Sequence, residues 1–492
     1  MIASPVRIAQ NTTYLTVAYI VQKIFSFLYF ILIARMIGVE DIGKYVFALS
    51  FTTIFSVFID LGLSPVLTRE GAKDTSRLKH YLNNIVGVKA VLSTLTYLAV
   101  VLMINLIGKE PLVKELVYLS GLIMVLDSFY LSFYAVFRAC QNLKYEAIGM
   151  IVGQVIIFGT GIAVLFLHLP LHFLIGSILM GSIFNFIYSL LLINKKLDFK
   201  PHLRYDKDIL KMLFKIAAPF AIAGIFARVY GYIDTVLLST LAGDKAVGWY
   251  SAGYKITFAL QFIPMAFAAA IFPAMSNYFV KNKKLLAKTF EKSMHYLMII
   301  ALPVTFGVVV LAPELIVAVY GLEFLPTALA LQILIFSLVF NFLGFPLGSL
   351  LNACNRQTVN TINMGITMVV NVVLNLILIP LFGAQAYLGA AIAALVSGFT
   401  LFALGLFWAG RITKYDKKFL ILSLAKVLVA CLVMTIIILV LKSETHFIFL
   451  IPLGGIIYFA CLYVVRGLDK KEIKEFYHSF FKRDEKNFVD NN

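Results

Sequence analysis

Apolar runs of bilayer-crossing length recur along this chain, at about residues 12–37, 43–68, 82–107, 115–138, 146–167, 170–194, 211–241, 247–275, 293–319, 326–353, 357–382, 387–411, 419–441 and 446–466. A helix needs roughly 20 apolar residues to cross the hydrocarbon core, so each run is long enough to span. No water satisfies backbone N–H and C=O groups inside a bilayer, which leaves helices and closed barrels as the only spanning forms. Runs of this length are helices, and the expectation is an all-α integral membrane protein with fourteen transmembrane helices. The connections are too short to hold a separate soluble domain. Composition agrees: 61% of residues are hydrophobic, 14% are charged and mean hydropathy is +0.92, against about 45–50% apolar in an ordinary soluble domain. The first run is too long for a signal-peptide core and no small-residue cleavage site follows it, so it is read as a spanning helix kept in the chain.

Orientation follows from where Lys and Arg fall. The N-terminus, the even-numbered loops and the tail hold 31 of the 42 cations, and the odd-numbered loops hold 6. Both termini are therefore expected in the cytoplasm, with multi-pass insertion in the cell membrane. The formal charge of +17 is accounted for by topology, so no nucleic-acid partner is expected. The cysteines, Cys140, Cys354, Cys431 and Cys461, lie in or beside apolar runs without metal-type spacing and read as packing residues.

The first odd-numbered loop reads GVEDIGKY, Gly38 to Tyr45, one residue away from the phosphate-binding pattern G-x-x-x-x-G-K-[ST]. Tyr45 cannot readily take the magnesium-binding role of the missing hydroxyl, and the loop faces the side without ATP. The stretch returns 205 residues later as GDKAVGWY, Gly243 to Tyr250, and RACQN (138–142) is echoed by NACNR (352–356). These repeats divide the chain into a six-helix lobe at 1–205, a second at 206–412, helices 13 and 14 at 413–468 and a basic amphipathic tail at 469–492. Because six is even, the two lobes point the same way, related by a pseudo-two-fold axis along the membrane normal, as in transporters with a midplane site.

Five cations remain inside predicted spans: Lys23, Lys89, Arg228, Lys255 and Lys426. A buried charge costs about 2.5–3.5 kcal/mol at a helix centre on insertion scales, so such groups are expected to face a cavity or a partner. Lys23 and Arg228 are themselves 205 residues apart, each near the middle of the first helix of its lobe. They are the leading candidates for cavity cations, with Lys89 and Lys255 behind them. The alternatives are pairing with Asp60, Asp127 or Asp234 and, for Lys89 and Lys255, snorkelling to the headgroups. Two unpaired cations in a wet cleft attract an anion, and phosphate suits both Lys and Arg. Tyr14, Tyr19, Tyr29, Tyr230 and Tyr232 offer stacking faces for sugars, or simple packing. Asp60, in DLGLSP, is a gate or hinge candidate beside Gly62 and Pro65, or the site of a plain kink. Asp127 and Asp234 are candidates for carrying a coupling proton or sodium ion; no other cofactor and no metal is expected.

No HExxH, GxSxG or paired CxxC occurs. The D-x-D of Asp206 and Asp208 fits a helix N-terminus better than a metal-bound sugar nucleotide. The tail segment DKKEIKEFYHSFFKR (469–483) is expected to lie as an amphipathic helix on the inner leaflet.

The segments IARMIGVEDIGKYVFALS (33–50), DLGLSPVLTRE (60–70) and GAQAYLGAAIAALVSG (383–398), in this order, resemble the polysaccharide-type flippases. Their superfamily also holds multidrug and toxin extruders and the lipid II flippase. The resemblance covers nearly the whole chain. It implies a V-shaped pair of lobes that opens to each side in turn and passes the sugar-pyrophosphate head of a polyprenyl-linked oligosaccharide through a cationic cavity. It implies a lipid-tail groove at helices 13 and 14, membrane lipids and polysaccharide-assembly enzymes as partners, and Lys23 and Arg228 as cavity cations. Two alternatives stand beside it: drug export on the same fold, which calls for an acidic cavity, and a membrane polysaccharide polymerase or ligase, which calls for a large catalytic outer loop.

Overall fold

The computed structural model describes residues 5–197 and 199–468, with side chains at 11 and from 13 onward. The tail at 469–492, with its expected amphipathic helix, lies outside the described residues. Among the described residues the chain is helical throughout: α1 (Pro5–Asp60), α2 (Leu63–Lys73), α3 (Leu78–Ile107), α4 (Pro111–Ala139), α5 (Lys144–Phe166), α6 (His172–Leu197), α7 (Lys207–Ala242), α8 (Asp244–Ala259), α9 (Phe262–Lys281), α10 (Lys283–Tyr320), α11 (Thr327–Ala353), α12 (Gln357–Leu381), α13 (Ala386–Ile412), α14 (Lys417–Leu441) and α15 (Phe447–Val464).

Thirteen helical stretches among these residues are long and apolar enough to cross a membrane. The first, Thr13–Asp60, has 48 residues, about 72 Å at 1.5 Å per residue and more than twice the roughly 30 Å hydrocarbon core. It is two spans, broken at Gly38, where φ is 81° and ψ is 176°. That brings the count to the fourteen windows of the sequence. Gly243, between α7 and α8, adopts the same conformation, φ 87° and ψ 169°, in a region essentially closed to residues with a Cβ. The second echo matches as well: Gln141 and Asn355, the fourth residues of RACQN and NACNR, have φ of 52° and 59°. The repeats are thus alike in backbone as well as in letters.

The break after Asp60 comes from a left-handed pair, Leu61 (φ 42°) and Gly62 (φ 75°), and α2 begins at Leu63. Pro65 sits in the first turn of α2, where a proline is tolerated, so it is not the cause of the break. Asp206 caps α7, accepting from the N–H of Asp208 (3.1 Å) and of Ile209 (3.2 Å), and this accounts for the D-x-D pair.

The contacts gather into two compact units. The first comprises residues 1–260, 316–334 and 358–401. One of its cores packs α2, α3 and α4 around Leu63, Leu82, Tyr134 and Phe137; another joins α7, α8, α11, α12 and α13 around Leu238, Tyr250 and Leu334. The segment before α7 is strapped to α3: His202 N–H donates to Asn83 Oδ1 (3.1 Å), Asp206 N–H to Asn84 Oδ1 (2.6 Å) and Tyr205 Oη to the Gly87 carbonyl (2.9 Å).

The two glycine loops meet within this unit. A Cβ on Gly43 would lie 2.7 Å from the Asp244 carbonyl carbon and 3.1 Å from the Gly248 nitrogen, and one on Gly248 would lie 2.9 Å from the Val39 carbonyl carbon. Backbone is pressed on backbone, and only hydrogen side chains fit. Around this seam Val39 N–H donates to Glu323 Oε1 (3.2 Å), Lys109 Nζ to Asp244 Oδ1 (3.0 Å) and the Ser239 carbonyl (2.7 Å), and Arg35 Nε to the Val319 carbonyl (2.7 Å). The second unit comprises 261–315, 335–357 and 402–492, and its described helices α10, α14 and α15 are tied by Tyr458 Oη donating to the Ile299 carbonyl (2.9 Å) and by Lys442 on Glu314 (3.0 Å).

Candidate substrate cavity

A cavity of about 850 Å³ opens within the first unit, lined by side chains of α1, α2 and α4 to α8. Its charged and amide groups are Lys255, Arg228, Arg138, Asp60, Asp127 and Gln154, and a band of hydroxyls from Ser26, Ser50, Thr52, Thr53, Ser56 and Ser120 runs between them. Apolar windows alone would not make such a wall. Polar side chains recur on one face of α1 as Ser50, Thr53 and Ser56, at helical spacing, and that face turns to the cavity.

Lys255 is half-buried on the wall. Its Nζ lies 3.3 Å from Ser26 Oγ and 5.2 Å from the centre of the Phe30 ring, and among the described residues it has no carboxylate partner. Lys23, a leading cavity candidate on sequence grounds, is exposed and is not among the residues lining the cavity; its Nζ lies 4.3 Å over the ring of Phe258, which does line it. The two ammonium groups are near enough to repel each other. Arg228 lines the cavity, within electrostatic reach of Asp127. Lys255 on the wall and Lys23 against the wall residue Phe258, neither with a carboxylate partner among the described residues, form an anion-binding arrangement.

Lys89 stands apart. It is fully buried behind the wall, and its ammonium donates to Asp60 Oδ1 (2.6 Å), the Ser128 carbonyl (2.8 Å), Ser128 Oγ (3.0 Å) and Ser64 Oγ (3.2 Å). It neither snorkels nor has a hydrogen to spare. Asp60, which lines the cavity, is thereby neutralised, and Ser64 adds a hydrogen bond to the same oxygen. Asp127 accepts from Ser182 Oγ (2.6 Å). Asp234 is not among the residues lining the cavity: it is buried under α8 and α12, accepting from Tyr250 Oη (2.6 Å) and Asn375 Nδ2 (2.6 Å). Beside it Asn371 Oδ1, Asn371 Nδ2 and Asn375 Oδ1 are buried with no hydrogen-bond partner among the described residues. Lys426 donates to the Arg466 carbonyl (2.7 Å).

Of the tyrosines singled out, Tyr29 and Tyr232 line the cavity. Sequence reasoning passed over Arg138 and Gln154. Arg138 was counted as a loop cation, yet it reaches the cavity and grips the buried Glu146 through two hydrogen bonds, Nε to Oε2 at 2.7 Å and Nη2 to Oε1. Gln154 is neutral, so a scan for intramembrane charge does not see it; a lone amide inside the run of α5 was the available signal. No cluster of three or more metal-ligating side chains of the His, Cys, Asp or Glu type occurs among the described residues.

Residues 8–279 match the family model described as polysaccharide biosynthesis protein, and residues 219–377 match the MatE model. The chain is 24% identical to the probable low-salt glycan biosynthesis flippase Agl15 of Haloferax volcanii over 391 residues, which covers 79% of this chain and 81% of the relative. It is 22% identical to the lipid II flippase MurJ of Bacillus subtilis over 484 residues, 87% of each chain. Among solved structures, a lipid II flippase MurJ in an inward closed conformation superposes with a TM-score of 0.75 at 14% identity, covering 94% of this chain and 98% of its own. An inward-facing multidrug resistance MATE family transporter gives a TM-score of 0.62 at 15% identity over 82% of this chain and 98% of that one.

Proposed function

Since the chain belongs to the polysaccharide biosynthesis protein family, we propose that it is a flippase, moving a polyprenyl-diphosphate-linked oligosaccharide from the cytoplasmic to the outer leaflet of the cell membrane. Relatives named as a glycan biosynthesis flippase, a lipid II flippase and a putative O-antigen transporter support this cargo class. Both termini are assigned to the cytoplasm by the distribution of Lys and Arg. The end that carries Gly43 and Gly248 then faces outward, and the seam between the glycine loops closes the cavity on that side. The lobes at 1–205 and 206–412 are the moving parts, a division supported by the matched conformations of Gly38 and Gly243. The cargo is large, so the lobes rock apart instead of forming a pore.

The observation that carries this reading is the pair Lys255 and Lys23: like charges, close to each other, without a carboxylate partner among the described residues, at a cavity with Arg228 on its wall. A diphosphate supplies the missing negative charge. Each ammonium or guanidinium hydrogen bond to phosphate is of the charge-assisted kind, stronger than a neutral one. Lys89 is left out of the cargo set because its hydrogens are committed to Asp60, Ser64 and Ser128. Drug export would ask for a cavity dominated by free carboxylates; here Asp60 is paired with Lys89, Asp127 is the one carboxylate on the wall without an ion pair among the described residues, and Arg228 and Lys255 share that wall with it.

Asp234 is our candidate for the site of a coupling ion. Its carboxylate, with the unpartnered amide oxygens of Asn371 and Asn375, forms an all-oxygen set suited to a sodium ion, while a proton would bind the carboxylate alone.

The test is an accessibility assay in proteoliposomes, reading how fast a lipid-linked sugar added in one leaflet becomes available to a membrane-impermeant reagent on the other side. Lys255→Ala, Lys23→Ala and Arg228→Ala are each expected to slow it at least tenfold, with Lys255→Arg largely retained. Normal transport by all three alanine variants would overturn the assignment.

A further inference from the structure

We infer that Gln154 and Asp127 form a sugar-binding subsite on the cavity wall, so that the protein reads the first sugar of its cargo as well as the diphosphate. The inference rests on the flippase reading above and deepens it. Gln154, on α5, is 7% exposed, lines the cavity and has no hydrogen-bond partner among the described residues. A primary amide has two donors and an acceptor to satisfy, and the Gln154 amide is not among the fully enclosed unpartnered groups, so it opens to the cavity for a ligand or water to meet. Gln154 differs from the other buried amides in lining the cavity, where a ligand can reach it.

Asp127, on α4, lines the same cavity, and α6 packs against both α4 and α5. A Cβ on Gly181 would lie 3.2 Å from the Gly153 carbonyl, one residue before Gln154, and the next residue on α6, Ser182, donates to Asp127 Oδ1 at 2.6 Å. Ser182 and Tyr130 orient the carboxylate, and Arg228 stands within its electrostatic reach. Gln154 and Asp127 thus present an amide donor and acceptor, and a carboxylate acceptor, to the same cavity. Adjacent sugar hydroxyls, or a hydroxyl next to an acetamido group, need this mixture of donors and acceptors; a phosphate needs donors only. The carboxylate would repel a phosphate and accept from a hydroxyl, which gives the cavity two regions: cations for the diphosphate at Lys255 and Lys23, and the amide with the carboxylate for the glycan. Asp127, an ion-coupling candidate on sequence grounds, takes a recognition role in this assignment.

The experiment measures Kd of the full-length protein in nanodiscs for two probes, a short-chain polyprenyl diphosphate and the same lipid carrying one N-acetylhexosamine. Gln154→Leu, which removes the amide and keeps an apolar side chain of similar volume, is expected to weaken the glycosylated probe about tenfold and to leave the bare diphosphate unchanged, and Gln154→Asn to fall between. Lys255→Ala should weaken both probes alike. If Gln154→Leu changes neither probe, or both equally, the subsite is refuted while the diphosphate reading stands. If the wild type binds neither probe, the cargo reading fails and the subsite with it. Size-exclusion and thermal-melting profiles matching the wild type establish that the variants are folded.

Discussion

The glycine seam gives a sharp prediction. In Gly43→Val the first added carbon would sit 2.7 Å from the Asp244 carbonyl carbon and 3.1 Å from the Gly248 nitrogen, where carbon contacts relax at about 3.5–4.0 Å. The added carbon would also overlap the Asp244 carbonyl oxygen, so the two loops must separate by more than about 1 Å for a methyl group and further for the branched side chain, and both partners are backbone, so no rotamer change relieves the clash. Overpacking of this kind costs about 1–3 kcal/mol, and the upper end applies here because the Asp244 backbone that must move is also anchored by Lys109, from the turn between α3 and α4. At about 1.4 kcal/mol per factor of ten, the closed-to-open ratio on the outward side falls on the order of 100-fold. Labelling reads this. In a background with the four cysteines replaced, Ser50→Cys, buried on the cavity wall, should react with an impermeant maleimide from the outside far faster once Gly43→Val is added. Gly176→Val, where nothing lies within 4 Å of the added carbon, serves as the control and should leave the rate unchanged. A folded Gly43→Val protein that labels no faster than the control would refute the claim that these glycines hold the outward side shut.

Other expectations follow from single contacts. Lys89→Met leaves Asp60 without its counter-ion and should destabilise the protein by about 3–5 kcal/mol, read as a lowered melting temperature; the double change Lys89→Leu with Asp60→Leu should recover part of it. Asp234→Asn should abolish the stimulation of transport by an imposed sodium or proton gradient while leaving cargo Kd unchanged, and gradient-stimulated transport by this variant would remove Asp234 as the coupling site. Tyr458→Phe removes the hydroxyl that donates to the Ile299 carbonyl and should cost about 1 kcal/mol in thermal unfolding without changing transport.

Hydropathy and glycine placement are local properties, and what depends on them was legible in the sequence. The spans followed from apolar length, and the pairing of Gly38 with Gly243 followed from the letters because a backbone conformation open only to glycine must be written with glycine. Lys255 and Arg228 were found as charges where charge is costly. What the sequence could not show were pairings set by packing across helices. Lys89 looked like Lys255 on paper, each a single lysine about two turns inside a span, yet one is enclosed by Asp60, Ser64 and Ser128 and the other faces the cavity. Arg138 was sorted by its place in a loop, although a guanidinium is long enough to reach from a helix end into a cleft. Gln154 carried no charge and was passed over, and only the absence of a partner in three dimensions marks it.

The most direct test of the central claim is the position of the cargo's phosphorus atoms, measured by electron cryomicroscopy of the protein in nanodiscs with a bound polyprenyl diphosphate. The diphosphate is expected within about 4 Å of the Lys255 ammonium, with Lys23 and Arg228 turned toward it. A diphosphate lodged away from these three side chains would contradict the claim.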